Sequence, residues 1–394
     1  MRRKGPSFSS RIRWSLETNE LAELRSRKRE RGEPVLDLTE SNPTMAGISY
    51  PAYGILRSFA DDAVLRYMPD PRGSLSAREA IAGYYRGRGA EIRPEDLFLT
   101  ASTSEAYSFL FKLLCDGGDE VLVPRPSYPL FDFLAALDEV RPLPYLLRFD
   151  GAWHLDFPTL ESSLTERTRA LVAVHPNNPT GSYLSLEEGE RLLDLELPLI
   201  ADEVFLDFPL SGQEPSTFAR STRGLVFVLS GLSKLAGLPQ MKLGWIAIAG
   251  DRELRKEAAT RLEHIADTYL SVGAPVQAAA PRLFELAPSI RREISERIRR
   301  NLAALREAAA SAPEVTLHEP QGGWYATLRL PAVRKSEEWA LSLLDQESVY
   351  VHPGAFFGFE LEACIIVSLL TSTDPFEEGI RRLFQAKNRK APSG

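Results

Sequence analysis

Lys234 is the residue with the most reactive setting in the chain. It stands in VFVLSGLSKLAGLPQMKLGW, where a strand-like apolar run ends in small residues and presents Ser233 and Lys234 at its tip. Lys242 follows eight residues later, ahead of Gly244 and Trp245. A lysine held in an apolar pocket loses part of its proton affinity to desolvation, and such an amine condenses with a carbonyl group to form a Schiff base. A solvated surface lysine is the alternative reading. A second chemical group stands in PLIADEVFLDF, where Asp202 and Glu203 close another apolar run. Burying a carboxylate there is costly without a compensating partner, so Asp202 either pairs with a cation or faces water at the strand end.

Three turns are placed to serve the same chemistry. In LFLTASTSEAYSFLFKLL a strand ends at Thr100, and Ser102 to Glu105 matches a capping box opening a helix with Ala106, Phe109, Leu110, Leu113 and Leu114 on one face. Free N–H groups and the hydroxyls of Ser102, Thr103 and Ser104 converge there, which suits a phosphate as well as an ordinary helix cap. Pro126-Ser127-Tyr128-Pro129 follows the strand EVLVP and presents an aromatic ring at the edge of the sheet where open α/β folds bind ligands. AVHPNNPTG, residues 173–181, runs from a buried strand into a turn at Asn178 and on to the helix signal SLEEGERLL. Tyr67 precedes a glycine turn in LRYMPDPRGSLSAREAIAGYY.

Taken in order, Tyr67, Ser102 to Ser104, Tyr128, Asn178, Asp202 and Lys234 resemble the motif series of class I/II (fold-type I) pyridoxal-phosphate-dependent aminotransferases, aspartate/alanine aminotransferase-like. The resemblance spans nearly the whole chain. It implies pyridoxal 5'-phosphate as cofactor, attached to Lys234, with Asp202 on the pyridine nitrogen and Asn178 on the phenolic oxygen. It also implies Tyr128 stacked on the ring, Ser102, Thr103, Ser104 and Lys242 around the phosphate, and Ser233 among the cofactor-binding residues. Tyr67 would reach the phosphate of a neighbouring subunit in a homodimer. Asn178, Ser41 of the SNPT segment and Arg13 are the substrate-binding candidates. Catalysis is expected from Lys234 and Asp202. The reaction implied is transfer of an amino group between an amino donor and a 2-oxo acid, with a lyase or decarboxylase on the same fold as the alternative and a non-catalytic cofactor sensor behind both.

Three positions depart from that pattern. Phe205 stands where the family carries a tyrosine that donates to the phenolic oxygen, and Lys242 replaces a planar arginine fork by a point charge. In IIVSLLTSTDPFEEGIRRL, Ile366 occupies the place of the arginine that clamps the substrate α-carboxylate. Isoleucine cannot supply bidentate recognition. Either another cation substitutes, with Arg11, Arg13 and Arg329 as candidates and Arg13 preferred, or the substrate lacks a free α-carboxylate.

The elements that must position these residues are legible as apolar runs. LFLT, EVLVP, ALVAVH, PLIADEVF, LVFVLSG and LGWIAIAG show little alternation, which predicts strands buried on both faces in a mostly parallel sheet covered by helices, an α/β fold. With the resemblance, a seven-stranded-type large domain is expected over 43–285. A smaller α+β domain follows from 1–42 and 286–394, where GGWYATLRLP and ACIIVSLL read as strands with a helix at each end of the block. At 394 residues, 44% of them hydrophobic, the chain can build such a core. The net charge of −7 argues against a general nucleic-acid binder, and the basic cluster Arg25–Arg31 reads as a solvated helix face. No apolar stretch is long enough for a bilayer, the two cysteines read as free thiols, and five histidines show no metal-ligand spacing, so a cytoplasmic protein without a metal is expected. A nicotinamide dehydrogenase is disfavoured, because no Gly-x-Gly-x-x-Gly follows a strand.

Overall fold

The computed structural model describes residues 8–12, 14, 18–212, 215–359 and 363–386. Its central sheet has eight strands, in the spatial order Leu97–Thr100, Gly244–Gly250, Leu225–Gly231, Leu199–Asp202, Thr168–Val174, Glu120–Arg125, Arg141–Phe149 and Trp153–Leu155. The pairs from Leu225–Gly231 through Arg141–Phe149 are parallel. Gly244–Gly250 runs antiparallel to both its neighbours. The eighth strand, Trp153–Leu155, adds an antiparallel edge to the expected seven.

The continuous apolar runs arise because alternate residues of each strand serve two cores. Phe98, Val121, Val123, Val172 and Phe227 pack with the helices Thr103–Leu114 and Arg252–Tyr269 on one face. Leu99, Leu122, Leu171, Val226 and Val228 join the opposite core, with Ile81 of the helix Leu75–Arg86 and Leu283 and Ile290 of Ala274–Ala310. Each large side chain so buried stabilises the fold by roughly 1.5–3 kcal/mol.

Two expectations about strands change. PLIADEVF stops being a strand at Asp202, because the Asp202 carboxylate accepts a hydrogen bond from Val204 N at 3.2 Å and turns the chain. The Arg141–Phe149 strand escaped the apolar-run criterion: it lies next to the sheet edge, alternates in exposure and contains two prolines.

The 37-residue helix Ala274–Ala310 passes through position 285 without a break. Beyond it a separate antiparallel sheet forms, in the order Thr316–His318, Tyr325–Arg329, Cys364–Ser368, His352–Pro353. The helix Ser336–Glu347 falls inside this block, and Thr373–Ala386 follows it. Leu36–Asp37 pairs in parallel with Val349–Tyr350, joining the N-terminal segment to this part of the chain. Among the described residues, no helix is long and apolar enough to cross a membrane.

Candidate active site

Lys234 lies on the single turn Leu232–Leu235 that directly follows the strand Leu225–Gly231. Its Nζ stands 4.9 Å from the ring centroid of Trp324 and 5.5 Å from that of Phe205. Burial pulls the amine down to about 8, while the Asp202 charge works in the opposite direction. Asp202 ends the neighbouring strand and is buried. Its Oδ2 accepts from the Tyr107 hydroxyl at 3.0 Å and its Oδ1 from Val204 N. Burial raises its carboxyl to about 6 against the lowering influence of Val204 N–H, Tyr107 and Lys234. A cation and an anion thus titrate on either side of neutral pH within one site, a setting typical of acid–base chemistry.

At one end of this site the helix Thr103–Leu114 begins. Ser102 caps it, its Oγ accepting from Glu105 N at 3.2 Å. The reciprocal half of the expected capping box is absent: the Glu105 carboxylate accepts from Ala101 N at 2.7 Å and from Ser271 Oγ at 2.6 Å. Glu105 therefore leaves the Ser102 N–H untouched, and the amides of Ser102 to Ser104 stay at an open helix N-terminus. A Cβ on Gly244 would lie 3.1 Å from the Ser102 carbonyl carbon and 3.2 Å from Ser230 O, so the backbone after Lys242 crosses this turn closely. Lys242 itself is exposed and adopts a left-handed conformation with φ 51°. Ser233 is half-buried beside Lys234, and the buried Oγ of Ser230 has no partner among the described residues.

A hydrogen-bonded knot sets the remaining residues. Ser127 Oγ donates to Asn177 Oδ1 at 3.0 Å, and Asn177 Nδ2 donates to Pro126 O at 3.1 Å and Thr180 Oγ1 at 2.9 Å. This fixes the turn carrying Tyr128 against the turn carrying Asn178. Tyr128 is partly exposed, and the charge of Asp202 and the hydroxyl of Tyr325 both reach it. The Asn178 side chain is buried, and its Oδ1 has no partner among the described residues. Tyr325 contacts Phe205 edge-on at 6.0 Å, and Ser41 lies near enough to offset part of the upward push that burial gives the Tyr325 phenol, which brings Ser41 to the same place.

Lys234, Ser233, Asp202, Asn178, Tyr128 and Ser41 therefore converge, with Ser102 to Ser104 and Lys242 at one end. Tyr67 is 83% exposed on a loop and does not join them. Arg11 pairs with Glu139 at 3.0 Å, and the exposed Arg329 donates to Thr316 Oγ1 at 3.4 Å, so neither engages the site. Arg13 lies outside the described residues. Tyr107, Asn177, Trp324 and Tyr325 were missed by sequence reasoning. The unusual aromatic pair in GGWYAT was the one signal that could have flagged two of them.

Ile366 is 1% exposed, on the strand Cys364–Ser368 between Thr327 and His352. It packs in a cluster with Trp153, Phe357, Phe359 and Cys364. An arginine there would carry a charge into a cluster whose described members are the apolar Trp153, Phe357, Phe359 and Cys364. Ile366→Arg is expected to destabilise the fold by about 3 kcal/mol or more, seen as a lowered midpoint in denaturant unfolding. An unchanged midpoint would mean that the position opens to solvent.

Comparison with known proteins assigns the chain. A model of the family "Aminotransferase class I and II" matches residues 34–383. The glutamate-pyruvate aminotransferase AlaA of Haemophilus influenzae is 27% identical over 375 residues, 91% of each chain. An alanine aminotransferase of Mycobacterium tuberculosis is 29% identical over 356 residues, covering 83% of this chain and 80% of its own. Among solved structures, an aminotransferase from Escherichia coli superposes with a TM-score of 0.85 at 24% identity, covering 98% of both chains. An alanine aminotransferase from Pyrococcus furiosus gives 0.84 at 23% identity over 94% of this chain and 99% of that one. With 350 consecutive positions matched to the family and the fold shared end to end, the chain belongs to the class I and II aminotransferases, enzymes that use pyridoxal 5'-phosphate.

Proposed function

We propose that this enzyme moves an amino group between an α-amino acid and a 2-oxo acid, with Lys234 as the cofactor attachment point and the proton carrier. The observation that carries the reading is the Lys234 amine, drawn down to about 8 on two aromatic faces and opposed by the buried Asp202. The residues fit the cofactor. Asp202 has a phenol and one amide as hydrogen-bond donors but no ion pair among the described residues, which leaves a place for a protonated ring nitrogen. The unpaired Asn178 and Ser230 oxygens, the open amides of Ser102 to Ser104 and the charge of Lys242 suit its polar substituents. When bound, pyridoxal phosphate supplies an electron sink for the substrate α-carbon.

The protein groups then have separable tasks. Asp202 holds the sink in its cationic form, and Tyr107 holds Asp202 ionised by donating to it. Lys234 would take the proton from the substrate α-carbon at Nζ and hold it there for return to the bound substrate. Its depressed proton affinity suits both directions near neutral pH. Tyr128 covers one side, and Phe205 and Trp324 keep water from the amine. The glutamate, pyruvate and alanine named for the relatives make those three the first substrates to try. The test is a screen of amino donors against 2-oxo acids, followed by conversion of the bound cofactor to its amine form. Donors that convert it with no 2-oxo acid able to reverse the change would refute aminotransfer.

A homodimer completes this reading. Tyr67 shares an exposed loop region with Leu65 and Met68, and Tyr53 and Leu56 are likewise exposed nearby in sequence, an apolar surface of the kind a partner covers. Tyr67 would then serve the partner's phosphate site. Leu65→Glu combined with Tyr53→Glu is expected to halve the mass measured in solution, and a wild type already at the 43.9 kDa of one chain would dismiss the dimer. The two free cysteines accord with a cytoplasmic setting.

A further inference from the structure

The geometry points to Arg125 as the residue that binds the substrate carboxylate, in place of the arginine missing at position 366; the inference rests on the aminotransfer reading above. Arg125 ends the strand Glu120–Arg125, three residues before Tyr128. Its stem crosses Gly358, where an added Cβ would come within 2.7 Å of Arg125 Cδ. Gly358 has φ +86° and lies between Phe357 and Phe359, the two rings that pack with Ile366. Ser127 N donates to Phe357 O at 2.9 Å and pins this turn onto the one that carries Tyr128. Arg125 therefore sits where the aromatic turn, the Ile366 cluster and the small sheet meet. A guanidinium so placed stands at the strand end that leads directly into the Tyr128 turn of the site.

The present partner of Arg125 is replaceable. Its side chain is 18% exposed, and one N–H meets Asp132 Oδ1 at 2.5 Å, a carboxylate that is 55% exposed. A further N–H reaches Pro124 O at 3.5 Å. Among the described residues, its other N–H groups make no hydrogen bond. A single-contact ion pair with a solvated carboxylate is weak. A two-point pair with a carboxylate inside a closed site is stronger and uses the planar fork fully. Asp132 thus acts as a stand-in that the substrate displaces.

The two partners give opposite expectations. In the holoenzyme, Arg125→Gln should raise KM for L-alanine or L-glutamate, and the dissociation constant of unreactive propionate, by roughly thirtyfold or more. The maximal rate should change less, and Arg125→Lys should recover part of the loss. Asp132→Ala removes the competitor and should lower both constants by about threefold. A purely structural latch would make both substitutions act in the same direction, and that result, or no change with Arg125→Gln, overturns the assignment. Should Arg125→Gln fail to fold, Asp132→Ala decides alone: tighter propionate binding supports the role, and unchanged or weaker binding refutes it. Propionate binding also separates this inference from the reaction itself. A wild type that transaminates nothing yet binds propionate through Arg125 would refute the aminotransfer reading and leave the anion site standing.

Discussion

Replacing Lys234 by alanine is expected to lower aminotransfer by roughly four orders of magnitude, since the variant loses its general acid–base group together with the attachment point. Borohydride reduction of the wild-type holoenzyme should fix the cofactor to the peptide containing Lys234. A label on Lys242 instead would sink the assignment. The same lysine should cost stability in the cofactor-free protein. Its folded value of about 8 lies below the ordinary 10.5, so the unfolded chain binds more protons between those limits and stability rises with pH across that window. The charged amine then costs on the order of 3 kcal/mol below the window. Lys234→Met should remove the slope and leave the cofactor-free variant more stable near neutral pH. The gain is reduced because Asp202 loses the charge that holds its carboxyl down. Denaturant unfolding at about pH 7 and about pH 10 measures both effects. A wild-type curve flat between those values would show an amine that is not desolvated.

What the sequence disclosed follows the range of the interactions involved. LVFVLSG and LGWIAIAG read as strands because both faces of each are buried, and Lys234 stands on the turn after the first of them. Asp202, Asn178 and Lys234 were legible for that reason: each stands at or just beyond a strand end, within a few residues of its own signal. Arg141–Phe149 was not, since Trp153–Leu155 pairs only its residues 147–149, and the open remainder admits proline and exposure and so removes the pattern. Tyr107 reads as one more apolar position of an amphipathic helix until the fold carries it to Asp202, 95 residues away. Trp324 likewise becomes a wall of the amine site only where the small sheet packs its ring 5.4 Å from that of Phe205. The cation problem shows the same limit. Arg11 and Arg329 were plausible by type, but Glu139 and Thr316 hold them elsewhere, while Arg125 sat unremarked beside a recognised motif.

Asp202→Asn should lower the maximal rate by roughly 10²–10³-fold or more, because it keeps the shape of the side chain while removing the charge that stabilises a ring cation in a buried site. Its effect on the empty protein runs the other way. The folded carboxyl titrates near 6 against an ordinary 3.8, so the folded form binds more protons between those limits. The stability associated with this group is present below the window and lost as pH rises through it. Asp202→Asn abolishes that loss, so the cofactor-free variant should be the more stable protein at neutral pH, in keeping with active sites that hold charge at the expense of stability. Tyr107→Phe tests the cause. Without the 3.0 Å hydrogen bond to Oδ2, the carboxylate loses a donor that favours its charged form, and the titration should move up by about one unit. The acid limb of the stability curve would shift with it, and the variant holoenzyme should lose activity at a higher pH than the wild type on the acid side. If Tyr107→Phe shifts neither curve, the hydroxyl does not serve Asp202; if Asp202→Asn retains the wild-type rate, the electron sink is held by some other group.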